Sequence, residues 1–435
     1  MRPLPCVAVG GLLLAAVLAG CSQTGAPGSG TPSDDPLPSL DATLLVPVSA
    51  KVHFSAPQRP TSEFSVSRDP SDPMHLVSGR LEFNPTDNTN YCVFARSVDG
   101  GRTWQDSPRP FAGTSSDPWV AWAPDGTVHV VCNTSHYAQS HDNGTSWSEL
   151  PRPPTPGNDR PSILVDAGGR LLHCSSRPGT NQGPTILYSD DSGATWTQSP
   201  FTDIATTWEE TICNAMAAGP DGTLYAGLGL SMFRLAVSHD RGANWTETAQ
   251  LGRIDPRRAD YGFLVPTHAQ GNTFPSFAVS PRTGHVFVGL LQFDAAANNG
   301  IGSYSVELHR SQDQGRTFER LDWPSAPATC RRCDFTRPVV HVDDAGRLGA
   351  LWRSNEGNLP FQTWFSVSLD EGKSWLPPLL LSAEGPTDLP IPTRSIDGAD
   401  HYWTMSDTPE GFLVFWLDRT QDGVSGLWAQ VVKVA

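Results

Sequence analysis

The stretch SVDGGRTW, residues 97–104, is a short polar loop that ends in a tryptophan. Its pattern, Ser-x-Asp-x-Gly-x-x followed by an aromatic residue, returns five times, and we call each copy a box. The later boxes are SHDNGTSW (140–147), SDDSGATW (189–196), SHDRGANW (238–245), SQDQGRTF (311–318) and SLDEGKSW (368–375). They begin 43, 49, 49, 73 and 57 residues apart, a period that indicates propeller blades built from short strands rather than helical repeats.

A second pattern accompanies the boxes, because two apolar strands joined by a tight turn precede each copy. The clear turns read WAPDGTVHV (122–130), VDAGGRLLH (165–173), AGPDGTLYA (218–226), VSPRTGHVF (279–287) and VDDAGRLGA (342–350). A looser version, SRDPSDPMHLV, precedes the first box, and a seventh, DTPEGFLVF (407–415), follows the last. No stretch keeps helical periodicity over three turns. The sequence therefore predicts an all-β propeller of seven four-stranded blades, with six blades as the alternative.

Each residue type in the box has a mechanical role. The carboxylate accepts from backbone N–H groups of the turn, glycine permits a positive φ, and the aromatic residue fills the space between adjacent blades. The boxes resemble the Asp-boxes, or BNR repeats, of the sialidase superfamily of β-propellers, over about residues 41–435. That resemblance implies that the box aspartates are structural and lie at the blade periphery. They are Asp99, Asp142, Asp191, Asp240, Asp313 and Asp370.

The two ends of the propeller are predicted to close the ring. The chain ends in GLWAQVVKVA, a third strand of blade seven with nothing after it, and TLLVPVSAKVHF (43–54) lies just before blade one. If this N-terminal strand pairs into the last blade, it completes that blade and removes an exposed sheet edge.

The first residues, MRPLPCVAVGGLLLAAVLAGCSQ, contain an apolar run that is too short to span a bilayer. LAGC at 18–21 resembles the lipobox of bacterial lipoproteins, which implies that residues 1–21 are a signal peptide and that Cys21 carries the lipid. An ordinary signal peptide with a chance cysteine is the alternative. Residues 22–40 are rich in Gly, Pro and Ser and read as a flexible linker before the propeller at 41–435. The predicted location is the cell envelope, on the outer face of the cell membrane or in the outer membrane.

The net charge limits the kinds of ligand that we expect, and the cysteine content limits the possible disulfides. The net charge of −15 argues against nucleic acid or anionic lipid as a ligand, so contact with a membrane is expected through the lipid anchor alone. We expect a monomer. Six cysteines follow Cys21, which allows fifteen disulfide pairings, and CRRC at 330–333 is predicted to form a local staple.

Candidate site residues stand at the start of the strand before each turn, which should line the central channel. Those of blades two to four and six to seven are Asp117, Asp159, Arg160, Glu209, Glu210, Asp334, Arg337, Asp400, His401 and Tyr402. Glu63 occupies this place in blade one, and Asn272 and Thr273 occupy it in blade five. Either these polar residues bind a ligand such as a glycan, or they only satisfy the backbone at a solvated channel mouth.

The resemblance to sialidases implies a tyrosine nucleophile, an acid/base aspartate and arginines that hold an anion. By analogy Tyr402 pairs with Glu209 or Glu210, Asp117 is the acid/base, and Arg160 and Arg337 bind the anion. The remaining candidates, Asp159, Asp334, Asp400 and His401, are assigned to ligand binding.

The departures from that family are clear. The Phe/Tyr-Arg-Ile-Pro motif that opens sialidase domains is absent, a full arginine triad is not found, and sialidases have six blades. We therefore predict glycan binding at the funnel and leave hydrolysis open. The alternative is a non-catalytic scaffold that docks another protein. No cofactor is expected, and a structural calcium ion is left open.

Overall fold

A computed structural model of the chain describes the residues of the propeller in thirteen ranges. The described ranges are 44–53, 59–133, 136–155, 159–176, 184–202, 213–229, 233–252, 275–294, 303–324, 333–356, 362–382, 404–419 and 425–435. The predicted signal peptide, Cys21 and the linker lie outside them, as does Cys330 of the predicted CRRC staple. Within these ranges the chain forms no helix with the length and apolarity that a bilayer crossing requires.

The described residues form thirty strands in seven sheets, which are the seven blades of a β-propeller. The chain begins with β1 (Leu45–Pro47) and β2 (Val52–His53), which belong to the last blade. Blade one contains β3 (Thr61–Arg68), β4 (Leu76–Asn84), β5 (Thr89–Ser97) and β6 (Gln105–Asp106). Blade two contains β7 (Trp119–Trp122), β8 (Val128–Cys132), β9 (His136–Ser140) and β10 (Ser148–Leu150). Blade three contains β11 (Asp159–Val165), β12 (Leu171–Ser176), β13 (Thr185–Ser189) and β14 (Thr197–Gln198).

The other four blades follow the same plan. Blade four contains β15 (Phe201–Thr202), β16 (Cys213–Ala218), β17 (Leu224–Leu228), β18 (Phe233–Ser238) and β19 (Trp245–Leu251). Blade five contains β20 (Ser276–Val279), β21 (Val286–Asp294), β22 (Ser303–Ser311) and β23 (Glu319–Leu321). Blade six contains β24 (Cys333–Val342), β25 (Leu348–Glu356), β26 (Gln362–Ser368) and β27 (Leu379–Leu380). Blade seven contains β28 (Met405–Thr408), β29 (Gly411–Arg419) and β30 (Ser425–Val434), together with β1 and β2.

Within a blade the strands are antiparallel neighbours in chain order, and the strand before the turn is innermost, as predicted. In blade two the Ala123 N–H donates to the Thr127 carbonyl across the turn at 2.8 Å, and Gly126 has a φ of +87°. Among the described residues two blades contain a fifth strand: in blade four β15 pairs parallel with β19, and in blade seven both β1 and β2 pair with β30. The predicted seven-blade, all-β architecture is therefore confirmed.

The ring closes through the N-terminal segment. Leu45 pairs with Val434, and Val52 pairs with Ala429, so β1 and β2 lie beside β30 as the outer strand of blade seven. The predicted closure is confirmed. At the inner strands an ion pair adds to it, since Arg68 of blade one donates to Asp407 of blade seven at 2.7 Å.

The apolar core lies between neighbouring blades rather than inside any one of them. The Trp104 ring packs 5.8 Å from Phe415 of blade seven, and the Trp147 ring packs 5.4 Å from Phe94 of blade one. Trp245 is fully buried. Burying a side chain of this size contributes roughly 2–3 kcal/mol. Each box aromatic thus joins its blade to the preceding one.

The box loops are held by a repeated set of hydrogen bonds. In the first box Ser97 Oγ donates to Asp99 Oδ1 at 2.8 Å and accepts from the Gly101 N–H at 2.9 Å. Thr103 donates its N–H to Asp99 Oδ1 at 2.9 Å and its hydroxyl to Oδ2 at 2.6 Å. The other five box aspartates accept from the corresponding residues of their own loops. Each aspartate therefore ties the two ends of its loop together.

Among the described residues two disulfides join adjacent blades. Cys92 of blade one bonds Cys132 of blade two, and Cys174 of blade three bonds Cys213 of blade four. They connect residues 40 and 39 positions apart in the chain, so each constrains the unfolded state and contributes roughly 3–4 kcal/mol.

Candidate binding site at the channel mouth

The inner strands surround a central cavity of ≈ 330 Å³. Inner strands of six blades contribute to its wall. Their contributions include Phe64, Trp119, Asn214, Phe277, Arg337 and Met405. We use the term channel mouth for the end of this cavity at which the inner strands begin.

Bulges interrupt the sheet pairing at the mouth in several blades. Ser62 pairs with Leu81 and Phe64 with Arg80, so Glu63 is an extra residue on β3. Similar register shifts fall at Arg160 on β11, Asn214 on β16 and Arg337 on β24. A bulge turns a side chain out of the regular alternation of the strand and is common beside binding sites.

In the part of the mouth that the structure describes, four residues that are not glycine have a positive φ. The values are 48° at Glu63, 52° at Asp117, 50° at Arg160 and 54° at Arg337. Such a backbone is unfavourable for residues with a Cβ, by roughly 1–3 kcal/mol each. All four residues are ionisable, so strain and charge coincide at one level of the channel.

Proline helps to place these residues, because it follows three of the four. Pro118, Pro161 and Pro338 stand directly after the positive-φ residue, and a proline has no N–H to contribute to the sheet ladder. The three prolines therefore lose no backbone hydrogen bond where the pairing is interrupted, because they have no N–H to donate.

Glu63 and Asp117 form a buried carboxyl pair. Each residue is only 7% exposed, and Glu63 Oε2 accepts the Asp117 backbone N–H at 3.0 Å. Asp117 Oδ2 accepts from Ser116 Oγ at 3.1 Å and from Asn133 Nδ2 at 3.0 Å. The two carboxyl groups thus come from neighbouring blades and are fixed by different donors.

The environment of Glu63 favours its neutral form. Burial raises the pKa of Glu63 well above its ordinary value, and the carboxylate of Asp117 raises it further. The Asp117 N–H and the guanidinium of Arg160 lower this pKa only in part, while Asp159 raises it. A neutral carboxylic acid beside a carboxylate can donate a proton or a hydrogen bond at neutral pH.

Two polar groups line the cavity itself, whereas Glu63, Asp117 and Arg160 lie outside its lining. Arg337 is 5% exposed and brings a cation to the blade-six side. Asn214 Nδ2 donates to the Gly229 carbonyl at 2.6 Å, whereas its buried Oδ1 has no hydrogen-bond partner within the described ranges. A buried acceptor in this state favours a ligand that can donate a hydrogen bond.

The structure brings together part of the residue set that the sequence predicts. Asp117, Asp159 and Arg160 each act electrostatically on Glu63. Only the backbone of Asp334 is described, where it pairs with Asn355. Seven candidates lie outside the described residues. They are Glu209, Glu210, Asn272, Thr273, Asp400, His401 and Tyr402.

Sequence reasoning placed Glu63 at the mouth but missed its pairing with Asp117, and it missed Asn133 and Asn214. A usable signal was present. Glu63, Asp117, Arg160 and Arg337 each stand six residues before the residue that donates its N–H across the turn, which is Asp69, Ala123, Asp166 or Asp343. The same spacing leads to Cys213 in blade four, which has no positive φ, so it marks the level of the mouth and does not by itself identify the four residues.

No group of three or more His, Cys, Asp or Glu side chains in the part of the chain that the structure describes is arranged to hold a metal ion.

Comparisons with known proteins describe the shape of the chain only. No family model matches, and no curated protein matches. YCF48 from Cyanidioschyzon merolae is 12% identical over 88% of this chain and 98% of its own, with a TM-score of 0.48. A Hadza microbial sialidase is 15% identical over 86% of this chain and 66% of its own, with a TM-score of 0.44. The GH74 xyloglucanase from Xanthomonas campestris is 16% identical over 81% of this chain and 51% of its own, with a TM-score of 0.46.

Proposed function

We propose that the propeller binds a glycan at the channel mouth, against Glu63, Asp117, Arg160 and Arg337. The observation that carries this proposal is the coincidence of positive φ and an ionisable side chain at the start of the inner strand in four blades, where Glu63, Asp117 and Arg337 are also buried. Backbone strain of this kind persists where the surrounding structure enforces it, and it is concentrated at functional sites.

The chemistry of the mouth suits a hydroxyl-rich ligand. The carboxylate of Asp117 and Oδ1 of Asn214 accept hydrogen bonds, and the neutral carboxyl of Glu63 donates one. The guanidinium of Arg337 suits an anionic substituent, and the indole of Trp119 gives the cavity wall an aromatic surface.

We propose glycoside hydrolysis as a further property of this site. Hydrolysis needs a proton donor near the glycosidic oxygen, and a neutral carboxylic acid next to an ionised one is a common source of that proton. Glu63 and Asp117 are the acid/base candidates. Tyr402, with Glu209 or Glu210, is the proposed nucleophile pair, and Asp159, Asp334, Asp400 and His401 are proposed contacts to the ligand.

The test is glycan-array binding by the purified protein, together with turnover of a fluorogenic sialoside and a panel of aryl glycosides. Asp117→Asn and Arg337→Met should weaken binding at least tenfold, because each removes a charged contact. Asp313→Asn, in the box of blade five, is the matched control and should bind normally. Turnover abolished by Tyr402→Phe would support the tyrosine mechanism. Absence of binding to every glycan would overturn the proposal and favour the protein-docking scaffold.

We also propose that the protein is exported and anchored through a lipid on Cys21. The two inter-blade disulfides support this, because disulfides form and persist in oxidising compartments. Metabolic labelling with a fatty acid should mark the protein, and Cys21→Ser should abolish the label and release the protein from membranes. A labelled Cys21→Ser protein would contradict the anchor.

A further inference from the structure

The segment that presents Asp117 is fastened to both ends of one disulfide. The Cys92 N–H donates to Ser115 Oγ at 2.9 Å. Asn133, the residue after Cys132, donates its N–H to the Ser116 carbonyl at 2.7 Å. Because Cys92 and Cys132 are bonded to each other, residues 115–117 are held between two points that are themselves linked.

Asn133 also contacts the site residue directly. Its Nδ2 donates to Asp117 Oδ2 at 3.0 Å, and the Asp117 N–H in turn donates to Glu63 Oε2 at 3.0 Å. An uninterrupted series of bonds thus runs from the disulfide through Asn133 and Asp117 to Glu63. Both carboxyl groups are buried, so a small displacement of this segment would change their separation and their access to water.

We propose that the Cys92–Cys132 disulfide and Asn133 are positioning residues, which set Asp117 against Glu63 and build this pair only in the oxidised protein. The importance of the pair for a ligand rests on the proposed function, but the test below needs no ligand.

The second disulfide supplies a matched control. Cys174–Cys213 also joins adjacent blades and closes a loop of nearly the same length, 39 against 40 residues. The Cys213 N–H donates to Ser176 Oγ at 2.8 Å, and Ser162 Oγ lies 3.3 Å from Cys213 Sγ. These contacts belong to blades three and four and involve neither Glu63 nor Asp117. Loss of either disulfide should therefore destabilise the fold by a similar amount. Only loss of Cys92–Cys132 should change the pairing of Glu63 with Asp117.

The titration of Glu63 is the readout. The charged groups that act on it are Asp117 before β7, and Asp159 and Arg160 on β11. In the unfolded chain the Glu63 carboxyl ionises as the pH rises above its ordinary pKa of 4.5. In the folded protein the pKa of Glu63 is raised, so the same carboxyl keeps its proton to a higher pH. The stability associated with that bound proton is present at low pH and is lost as the pH rises through the folded-state value. Glutamine does not titrate, so Glu63→Gln removes this pH-dependent loss of stability. The free energy of unfolding of Glu63→Gln relative to the native protein should therefore be unchanged near pH 4 and should rise toward pH 8.

The experiment measures how much Glu63→Gln changes the free energy of unfolding in three versions of the full chain. They are the native chain, the chain with Cys92→Ala and Cys132→Ala, and the chain with Cys174→Ala and Cys213→Ala. Urea unfolding at intervals between pH 4 and pH 8 gives the proton affinity of Glu63 in each. We expect the native and Cys174/Cys213 backgrounds to agree. In the Cys92/Cys132 background the proton affinity should fall at least tenfold, because the loosened pair gains access to water.

Equal results in all three backgrounds, or equal loss in both disulfide variants, would overturn the inference. If the Cys92/Cys132 variant does not fold, Asn133→Ala with both disulfides intact replaces it and should lower the proton affinity in the same direction. A protein that binds no glycan but shows the expected Glu63 titration would refute the proposed function and leave the positioning role standing.

Discussion

The box loops and the channel mouth use the same unusual backbone for different purposes. Among the described residues ten that are not glycine have a positive φ, and nine of them fall in these two regions. Five lie between the aspartate and glycine of a box. They are Asn143, Ser192, Arg241, Gln314 and Glu371. The other four are the mouth residues Glu63, Asp117, Arg160 and Arg337.

The difference lies in what each region requires of the side chain. In the boxes the positive-φ residue varies from Ser to Glu, and the aspartate before it and the glycine after it hold the loop in every case. Some of these residues also contact another blade, as Arg241 does when it donates to Asp166 at 2.6 Å. At the mouth every positive-φ residue is ionisable, and three of them are less than a tenth exposed. The boxes use this backbone to make a turn with several kinds of side chain, whereas the mouth combines it with an ionisable group each time. A ligand is therefore expected at the mouth rather than at the boxes.

The largest effect is expected at a box glycine. A Cβ on Gly242 would overlap Cδ2 of Leu172 in blade three, and φ there is +82°. Gly242→Ala should lower the free energy of unfolding by about 3 kcal/mol, from overpacking and backbone strain together. Gly222→Ala, with a φ of +83° but no atom within 4 Å of the added Cβ, should lose only about 1 kcal/mol in the same urea titration. An equal decrease in the free energy of unfolding for both variants would show that packing between blades is not the reason that the box requires glycine.

A medium effect is expected at a box aspartate, and it should depend on pH. Hydrogen bonds, first that from Ser146 Oγ, lower the pKa of Asp142 to about 2 from an ordinary 3.8. Its contribution to stability is therefore present above pH 3.8 and is lost as the pH falls through 2. Asp142→Asn should lower the free energy of unfolding at pH 7 by about 1 kcal/mol, with solvent screening taken into account.

The comparison of Asp142→Asn with the native protein should narrow toward pH 2, and Asp313→Asn should repeat this behaviour in blade five, where the pKa is also about 2. A difference that stays constant across the acid range would show that the carboxylate charge contributes nothing to the loop.

The smallest effect separates the two regions most directly. Ser192→Gly in the box of blade three should change the free energy of unfolding by less than about 0.5 kcal/mol, since relief of strain is offset by the entropy of the unfolded chain. Arg337→Gly at the mouth removes the same backbone strain but should abolish glycan binding. Retained binding in Arg337→Gly would show that the mouth residues, like their box counterparts, only shape the backbone.

Much of the architecture could be predicted because the signals are local. The box period, the tight turns and the strand at residues 43–54 each follow from short stretches, and they led to seven blades closed by the N-terminal segment, as observed. A turn residue needs its φ and a strand needs its alternation wherever they occur. Neighbouring blades repeat the same unit, so the count of units gives the fold.

The site was less predictable because a bulge is a property of strand pairing. Whether Glu63 pairs or protrudes depends on the register of Leu81 and Arg80 on the next strand, which no local pattern records. The disulfides are similar, since six cysteines allow fifteen pairings and spacing alone does not choose Cys92 with Cys132.

By itself, the sequence determined the blade unit, the blade number and the closure, because these rest on hydrophobic alternation and turn chemistry within each repeat. The tertiary structure alone decided that Glu63 and Asp117, 54 residues apart, meet in one buried pair that is tied through Asn133 to a disulfide. The physical reason is that burial and mutual repulsion act only between groups that folding has already brought together. The charge state of Glu63 is therefore a consequence of the assembled ring rather than of any single blade.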